Sequence, residues 1–200
     1  PKQVNNPYFT VARGGGERAT AEFAGTFKEV GPSEPAPPPG QLHQHPHPAG
    51  TDVIAISAND PGAVCGALNS ARDAGAVVVT FDSDTRAECR DLFINQATAE
   101  DVARTQVELI AGQIGGAGEI AILSATPNAT NQNTWIALME EELARPAYAD
   151  IEIVAVAYGN DEDEKSFQET QGLLRSHPDL AGIVSPTTVG LAAAARYLSG

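Results

Sequence analysis

Residues Ala76–Thr85 read "AVVVTFDSDT". Apolar and β-branched residues run without interruption to Phe81. Then two carboxylates and two hydroxyls follow within four positions. A strand that is apolar at every residue is not half-exposed; it is covered on both faces, as parallel strands are. The polar burst marks its carboxyl end, where the ligands of doubly wound sheets bind.

The pattern recurs along the chain. "TDVIAIS" (Thr51–Ser57) and "EIAILS" (Glu119–Ser124) are equally apolar. Strands are expected at Thr26–Val30, Asp52–Ser57, Ala76–Thr80, Leu92–Asn95, Glu119–Ser124, Ile151–Ala157 and Gly182–Ser185. Helical periodicity lies at Val11–Ala24, Gly62–Ala74, Ala99–Ile114, Gln132–Leu143, Lys165–Ser176 and Gly190–Leu198. Alternating strands and helices predict an α/β protein with a doubly wound parallel sheet and right-handed crossovers. Polar clusters gather where the strands end: "SATPNATNQNTW" from Ser124, "SPTTVG" from Ser185, and "NNPYF" (Asn5–Phe9) after a strand that would precede Lys2.

Two hundred residues with 42% apolar content suit one or two small α/β units. The formal charge is −14, from 12 basic and 26 acidic residues. Without a basic stripe, such a surface repels a phosphate backbone and argues against nucleic acid. No apolar run approaches the roughly 20 residues that span a bilayer. The opening "PKQVNNPYF" has no basic segment followed by an apolar one, so no signal peptide is visible. The two cysteines lack C-x-x-C spacing.

Each motif has a plain reading beside its functional one. "NNPYF" offers amides for hydroxyl groups and an aromatic face for a sugar's C–H face; it reads equally as a helix start with core aromatics. "FDSDT" (Phe81–Thr85) offers carboxylates that accept paired hydroxyl hydrogen bonds, or helix-capping aspartates. A catalytic carboxylate pair lacks a companion nucleophile or base, so no enzyme is expected. "TNQNTW" (Thr130–Trp135) holds more side-chain amides than capping needs, which points to a polar ligand. Gly14–Gly16 is not a dinucleotide fingerprint after a strand; close packing of a helix on the sheet is its expected role. Cys65 and Cys89 would bridge in an exported protein and otherwise be small buried hydrophobes. His43, His45 and His47 have no Cys, Asp or Glu among them to complete a shell, so neither metal nor cofactor is expected.

One crossover is anomalous. From Gly31 to Thr51 the chain must return to a parallel strand, which usually takes a helix. This stretch carries seven prolines and cannot form one.

Several motifs together resemble one family. They are "PKQVNNPYF", "ISANDPGAVCGAL" (Ile56–Leu68), "VVTFDSDTRAECR" (Val78–Arg90) with "INQAT" (Ile94–Thr98), "ATNQNTW" (Ala129–Trp135) and "IVSPTTVGLAAAARYL" (Ile183–Leu198). The chain is similar to the type I periplasmic solute-binding proteins of sugar ABC importers, nearest the rhamnose-binding branch, with the furanosyl autoinducer-binding proteins next. The resemblance implies two doubly wound parallel-sheet lobes that close on a ligand, the first over residues 1–95 and the second over 96–200. It implies a small neutral sugar as ligand, rhamnose or a related one, and membrane permease subunits as partners. It also implies a monomer located in the periplasm or outside the cell. Ligand contacts would come from Lys2, Asn6, Tyr8, Phe9 and Asp82 in the first lobe, and Asn131, Gln132, Pro186 and Thr188 in the second. An exported family favours a disulfide between Cys65 and Cys89. The effector domain of a sugar-responsive transcription regulator is the alternative on the same fold.

Against that family the chain departs in two ways. It starts after the first strand and ends in a second-lobe helix, so it reads as a fragment. Residues 31–50 stand where relatives have an amphipathic helix. One codon string for this stretch, read one base on, encodes apolar residues at helical spacing ending in glycine. A compensated frameshift, or a sequence error, is the expected origin of the His/Pro richness; a true proline-rich insertion is the other reading. Resequencing the gene is expected to show a +1 frame that encodes an amphipathic helix here. A +1 frame rich in stops, proline or glycine removes the idea.

Overall fold

A computed structural model describes residues 1–32 and 50–200 of the chain. The Pro/His-rich crossover and His43, His45 and His47 fall outside the described residues, apart from the ends of the crossover. The described residues form two compact units, Pro1–Gln96 and Ala97–Gly200. Among them, no helix is long and apolar enough to cross a membrane.

The second unit alternates α3 (Ala99–Ile114), β4 (Gly118–Ser124), α4 (Thr130–Leu143), β5 (Ile151–Tyr158), α5 (Asp163–Ser176), β6 (Leu180–Val184) and α6 (Thr188–Ser199). The three strands pair in parallel in the order β5-β4-β6. Central β4 explains this unit. Its even residues Ile120 and Ile122 join Ala103 and Val107 of α3, Ile136, Met139 and Leu143 of α4, and Ile151 and Val184 in one core. Its odd residues Ala121 and Leu123 are fully buried as well. They point the other way, as strand alternation requires, toward the side from which α5 and α6 pack on β4. Both faces are covered, which is what the unbroken apolar run demands. Thr98 caps α3 by accepting the Asp101 N–H at 3.1 Å, and Gly115 ends that helix in the left-handed conformation. Gly182 lets α3 approach the sheet: a Cβ there would stand 2.6 Å from Cδ1 of Ile110.

The first unit holds α1 (Pro7–Glu22), β1 (Val53–Ile56), α2 (Cys65–Asp73), β2 (Val77–Phe81), a 3-10 turn at Ala87–Cys89, and β3 (Leu92–Ile94). Its parallel sheet runs β1-β2-β3. Among the described residues, the expectation of burial on both faces is met here on one side only. Val78 and Thr80 are fully buried, and α2 packs on β2. The register pairs Val53 with Val77 and Val79 with Leu92. It thereby gathers Val53, Val77, Leu92 and Ile94, each about half-exposed, on the opposite face.

Thr26–Val30 is not a strand. It forms no sheet ladder and runs instead against α1. Phe27 lies over Gly16, whose absent Cβ would meet its ring at 2.6 Å, and Glu29 pairs with Arg13 at 3.7 Å. Gly16 therefore serves helix-to-segment packing, whereas a Cβ at Gly15 would meet nothing within 4 Å.

Ile122 tests the two-faced core. Ile122→Ala removes a fully buried side chain from the middle of β4 and is expected to cost about 2–5 kcal/mol. Leu109→Ala, 62% exposed on α3, is expected to stay within about 0.5 kcal/mol. Urea denaturation of both variants measures the difference, and equal midpoints would contradict the assignment of the core.

Candidate functional site

In the first unit, polar groups converge on Asp82. It is the first residue after β2 and takes a left-handed backbone, φ 61°. Its Oδ2 accepts the Ser57 hydroxyl at 2.7 Å, at the adjacent end of β1. Lys2 Nζ stands 3.7 Å from the same oxygen, and both side chains are largely buried. The Lys2 carbonyl accepts from the Asn59 amide at 3.0 Å, which ties the N-terminal segment to the loop after β1. Burial pushes the Tyr8 phenol above its ordinary value, and the Asp82 charge and a hydrogen bond to its carboxylate push it further.

The loop beneath is pinned at several points. Cys65 and Cys89 are joined as a disulfide between the start of α2 and the 3-10 turn. The Thr85 hydroxyl donates to the Pro61 carbonyl at 2.7 Å. Arg90 donates to both oxygens of Asp84 at 2.8 Å each. Thr80 Oγ1 and the Thr85 N–H donate to it as well. Burial works to raise the Asp84 carboxyl, but these hydrogen bonds and the Arg90 charge outweigh it and hold it below the usual carboxylate range. Two carboxylates of one motif thus have opposite assignments. Asp84 clamps the loop, and Asp82 faces Lys2, Tyr8 and Ser57.

Of the other first-unit candidates, Asn6 and Phe9 are engaged by their own unit. Asn6 is buried and caps α1, accepting the Tyr8 N–H at 3.0 Å. Phe9 is 4% exposed and packs edge-on against Tyr8 and Phe81. Tyr8, 37% exposed, is the aromatic with a face to offer.

In the second unit the polar residues collect at the carboxyl ends of β4, β5 and β6. Gln132, near the start of α4, is buried; its Oε1 accepts the Ser124 hydroxyl at 2.7 Å and the Ala125 N–H at 2.8 Å. Asn131 precedes it, half-buried, with its Oδ1 accepting the Gln132 N–H at 3.0 Å. The β5 loop is tied to β4 by Gly159 N–H to the Ser124 carbonyl (2.9 Å) and Asn160 N–H to the Ala125 carbonyl (2.7 Å). The β6 loop is tied to β4 by the Ser185 hydroxyl on the Leu123 carbonyl at 2.7 Å. Pro186 is half-buried in that loop, and Thr188, the first residue of α6, is exposed. Thr187 between them is buried, and its hydroxyl donates to Asp161.

Ser57, Asn59 and Asp161 were absent from the sequence-based candidates. For Asp161 a signal existed: "GNDED" (Gly159–Asp163) follows an apolar strand, as the other polar clusters do. Among the described residues, no group of three or more His, Cys, Asp or Glu is arranged to hold a metal ion.

The periplasmic binding protein domain family matches residues 1–200. A solved sugar ABC transporter protein from Actinomyces odontolyticus is 52% identical over 100% of this chain, which covers 65% of that one, with a TM-score of 0.68. An ABC transporter solute-binding protein from Clostridium phytofermentas, solved with bound L-rhamnose, is 32% identical; the match covers 98% of this chain and 62% of that one, with a TM-score of 0.84. A protein from Clostridium saccharobutylicum in complex with AI-2 shares the fold at 22% identity and a TM-score of 0.87, over 100% of this chain and 64% of that one. The chain therefore spans less than two thirds of the length of these three proteins.

The Asp84 clamp sets a pH dependence. Its folded value lies below the unfolded value of about 3.9. Its contribution to stability is therefore complete above that value and is lost as pH falls through the lowered folded one. Asp84→Asn is expected to lower the urea midpoint at pH 6 and to flatten its decline between pH 5 and pH 2. An acid decline as steep as the parent's would remove the clamp.

Proposed function

The chain belongs to the periplasmic binding protein domain family, and we propose that it is the solute-binding component of an ABC-type sugar importer. The fold is the type I α/β fold of that family, with parallel sheets. The observation that carries the proposal is the Asp82 constellation. A largely buried carboxylate, held by Lys2 and Ser57 at a strand end, can accept hydrogen bonds from neighbouring ring hydroxyls, while Tyr8 offers an aromatic face.

The ligand is a small neutral sugar, with L-rhamnose or a related deoxyhexose favoured over a furanosyl autoinducer. The solute-binding relative with bound L-rhamnose supports this. So does the amide pair Asn131–Gln132, which donates as well as accepts. The N-terminal lobe contributes Lys2, Tyr8 and Asp82, with Asn6 and Phe9 as supports. The C-terminal lobe contributes Asn131, Gln132, Pro186 and Thr188. The protein carries out no catalysis and hands its sugar to membrane permease subunits. It works as a monomer in the periplasm or outside the cell.

Isothermal titration with L-rhamnose tests this. Asp82→Ala strands sugar hydroxyls that had a charged acceptor, a loss of about 1.5–3 kcal/mol, or roughly tenfold and more in affinity. Asp84→Ala is expected to weaken binding much less and to lower stability instead. Absence of heat with the parent chain, or equal loss in both variants, would overturn the assignment.

A further inference from the structure

Thr187 occupies the N-cap position of α6, yet its side chain makes no capping hydrogen bond to that helix. A threonine at that position ordinarily accepts an N–H of the first turn. Here the hydroxyl is committed to the Asp161 carboxylate, 26 positions earlier, at the end of β5. Thr187 is 6% exposed, so this donor is held in place by packing as well.

Asp161 reaches Thr187 from an uncommon backbone. Asn160 and Asp161 are consecutive non-glycine residues in the left-handed region, φ 57° and 55°. Asn and Asp enter that region more readily than other side chains, and two in succession are held there by their surroundings. Here the surroundings are visible. Gly159 and Asn160 donate their N–H groups to Ser124 and Ala125, which fastens the turn to the end of β4. The turn aims Asp161 at the β6 loop, and that loop's other anchor, Ser185, also returns to β4. All of these ties are side-chain or backbone bonds at the strand ends, where the two neighbours of Thr187 are Pro186 and Thr188.

We infer that Asp161 is a positioning residue that acts through Thr187 to fix the Ser185–Thr188 loop in its ligand-ready geometry. The inference rests on the sugar-binding proposal for the role of that loop. Neither Asp161 nor Thr187 needs to touch the sugar. The helix forgoes its own side-chain cap so that the loop before it is held from the side.

The test uses the full chain and L-rhamnose. Thr187→Val removes the hydroxyl and keeps the shape, Thr187→Ser keeps the hydroxyl, and Asp161→Ala removes the acceptor. Thr187→Val and Asp161→Ala are each expected to weaken rhamnose binding about tenfold, the scale of one lost hydrogen bond to a charged group. The double variant is expected to be no weaker than the weaker single variant, because the two act as a unit. Thr187→Ser is expected to bind as the parent does. Hydrogen exchange without sugar gives an independent reading: the Ser185–Thr188 amides are expected to exchange faster in Thr187→Val, with β4 unchanged. Unchanged loop exchange overturns the tie itself. Faster exchange with parental affinity, or additive losses in the double variant, overturns its role in positioning. No heat from the parent chain overturns the sugar reading, and the role in ligand positioning falls with it.

Discussion

A parallel strand covered on both faces can place polar side chains only at its ends, and this constraint organises the second unit. Every residue of β4 from Ile120 to Ser124 is buried. Unpaired polar groups there would each cost about 1–3 kcal/mol. The chain therefore concentrates its hydroxyls, amides and carboxylates just past the last strand residues. Those groups must then satisfy one another, since loops at a sheet end also bring exposed backbone donors and acceptors. The result is a network in which Ser124, Gln132, Ser185, Thr187 and Asp161 are all committed to the scaffold before any ligand arrives.

The same economy operates in the first unit with a sharper division of labour. Asp82 and Asp84 are separated by one residue and leave the same strand. Arg90 is close enough to grip Asp84 with both arms of its guanidinium, a geometry that suits carboxylates and fixes orientation. With the disulfide and the Thr85–Pro61 bond, that grip holds the loop so that Asp82 can adopt a left-handed backbone. Beside Asp82 stands Lys2, a point charge at 3.7 Å rather than a bidentate clamp.

The parallel α/β architecture was legible because it depends on periodicity, which is local. Continuous apolar runs such as "EIAILS" announced strands covered on both faces, and β4 is one. The polar turn after β2 was legible by the same logic, as polarity at a strand's carboxyl end; choosing Asp82 within it took the family resemblance. What local pattern could not carry was partnership. Thr26–Val30 has the composition of a strand, but strand formation needs a ladder, and Phe27 found Gly16 instead. Asn6, Phe9 and Gln132 have ligand-like chemistry in the sequence, yet each is largely buried and engaged by its own scaffold. Asp161 was missed for the converse reason. Within "GNDED" it is one acid among several, and only the placement of Thr187 distinguishes it.

Gln132 shows how such commitment can shape what a site offers. The atom facing the Ala125 N–H must be the amide oxygen, because a backbone N–H can only donate. The Ser124 hydroxyl takes the oxygen's other lone pair. The scaffold contacts thus use Gln132 as an acceptor, and the chemistry left for a ligand is that of its NH₂ donors. Asp82 in the first unit is a carboxylate that accepts the Ser57 hydroxyl. A sugar hydroxyl both donates and accepts, so it can meet a fixed acceptor or a fixed donor. The polarity of each group is thus set by what it must do for its own unit.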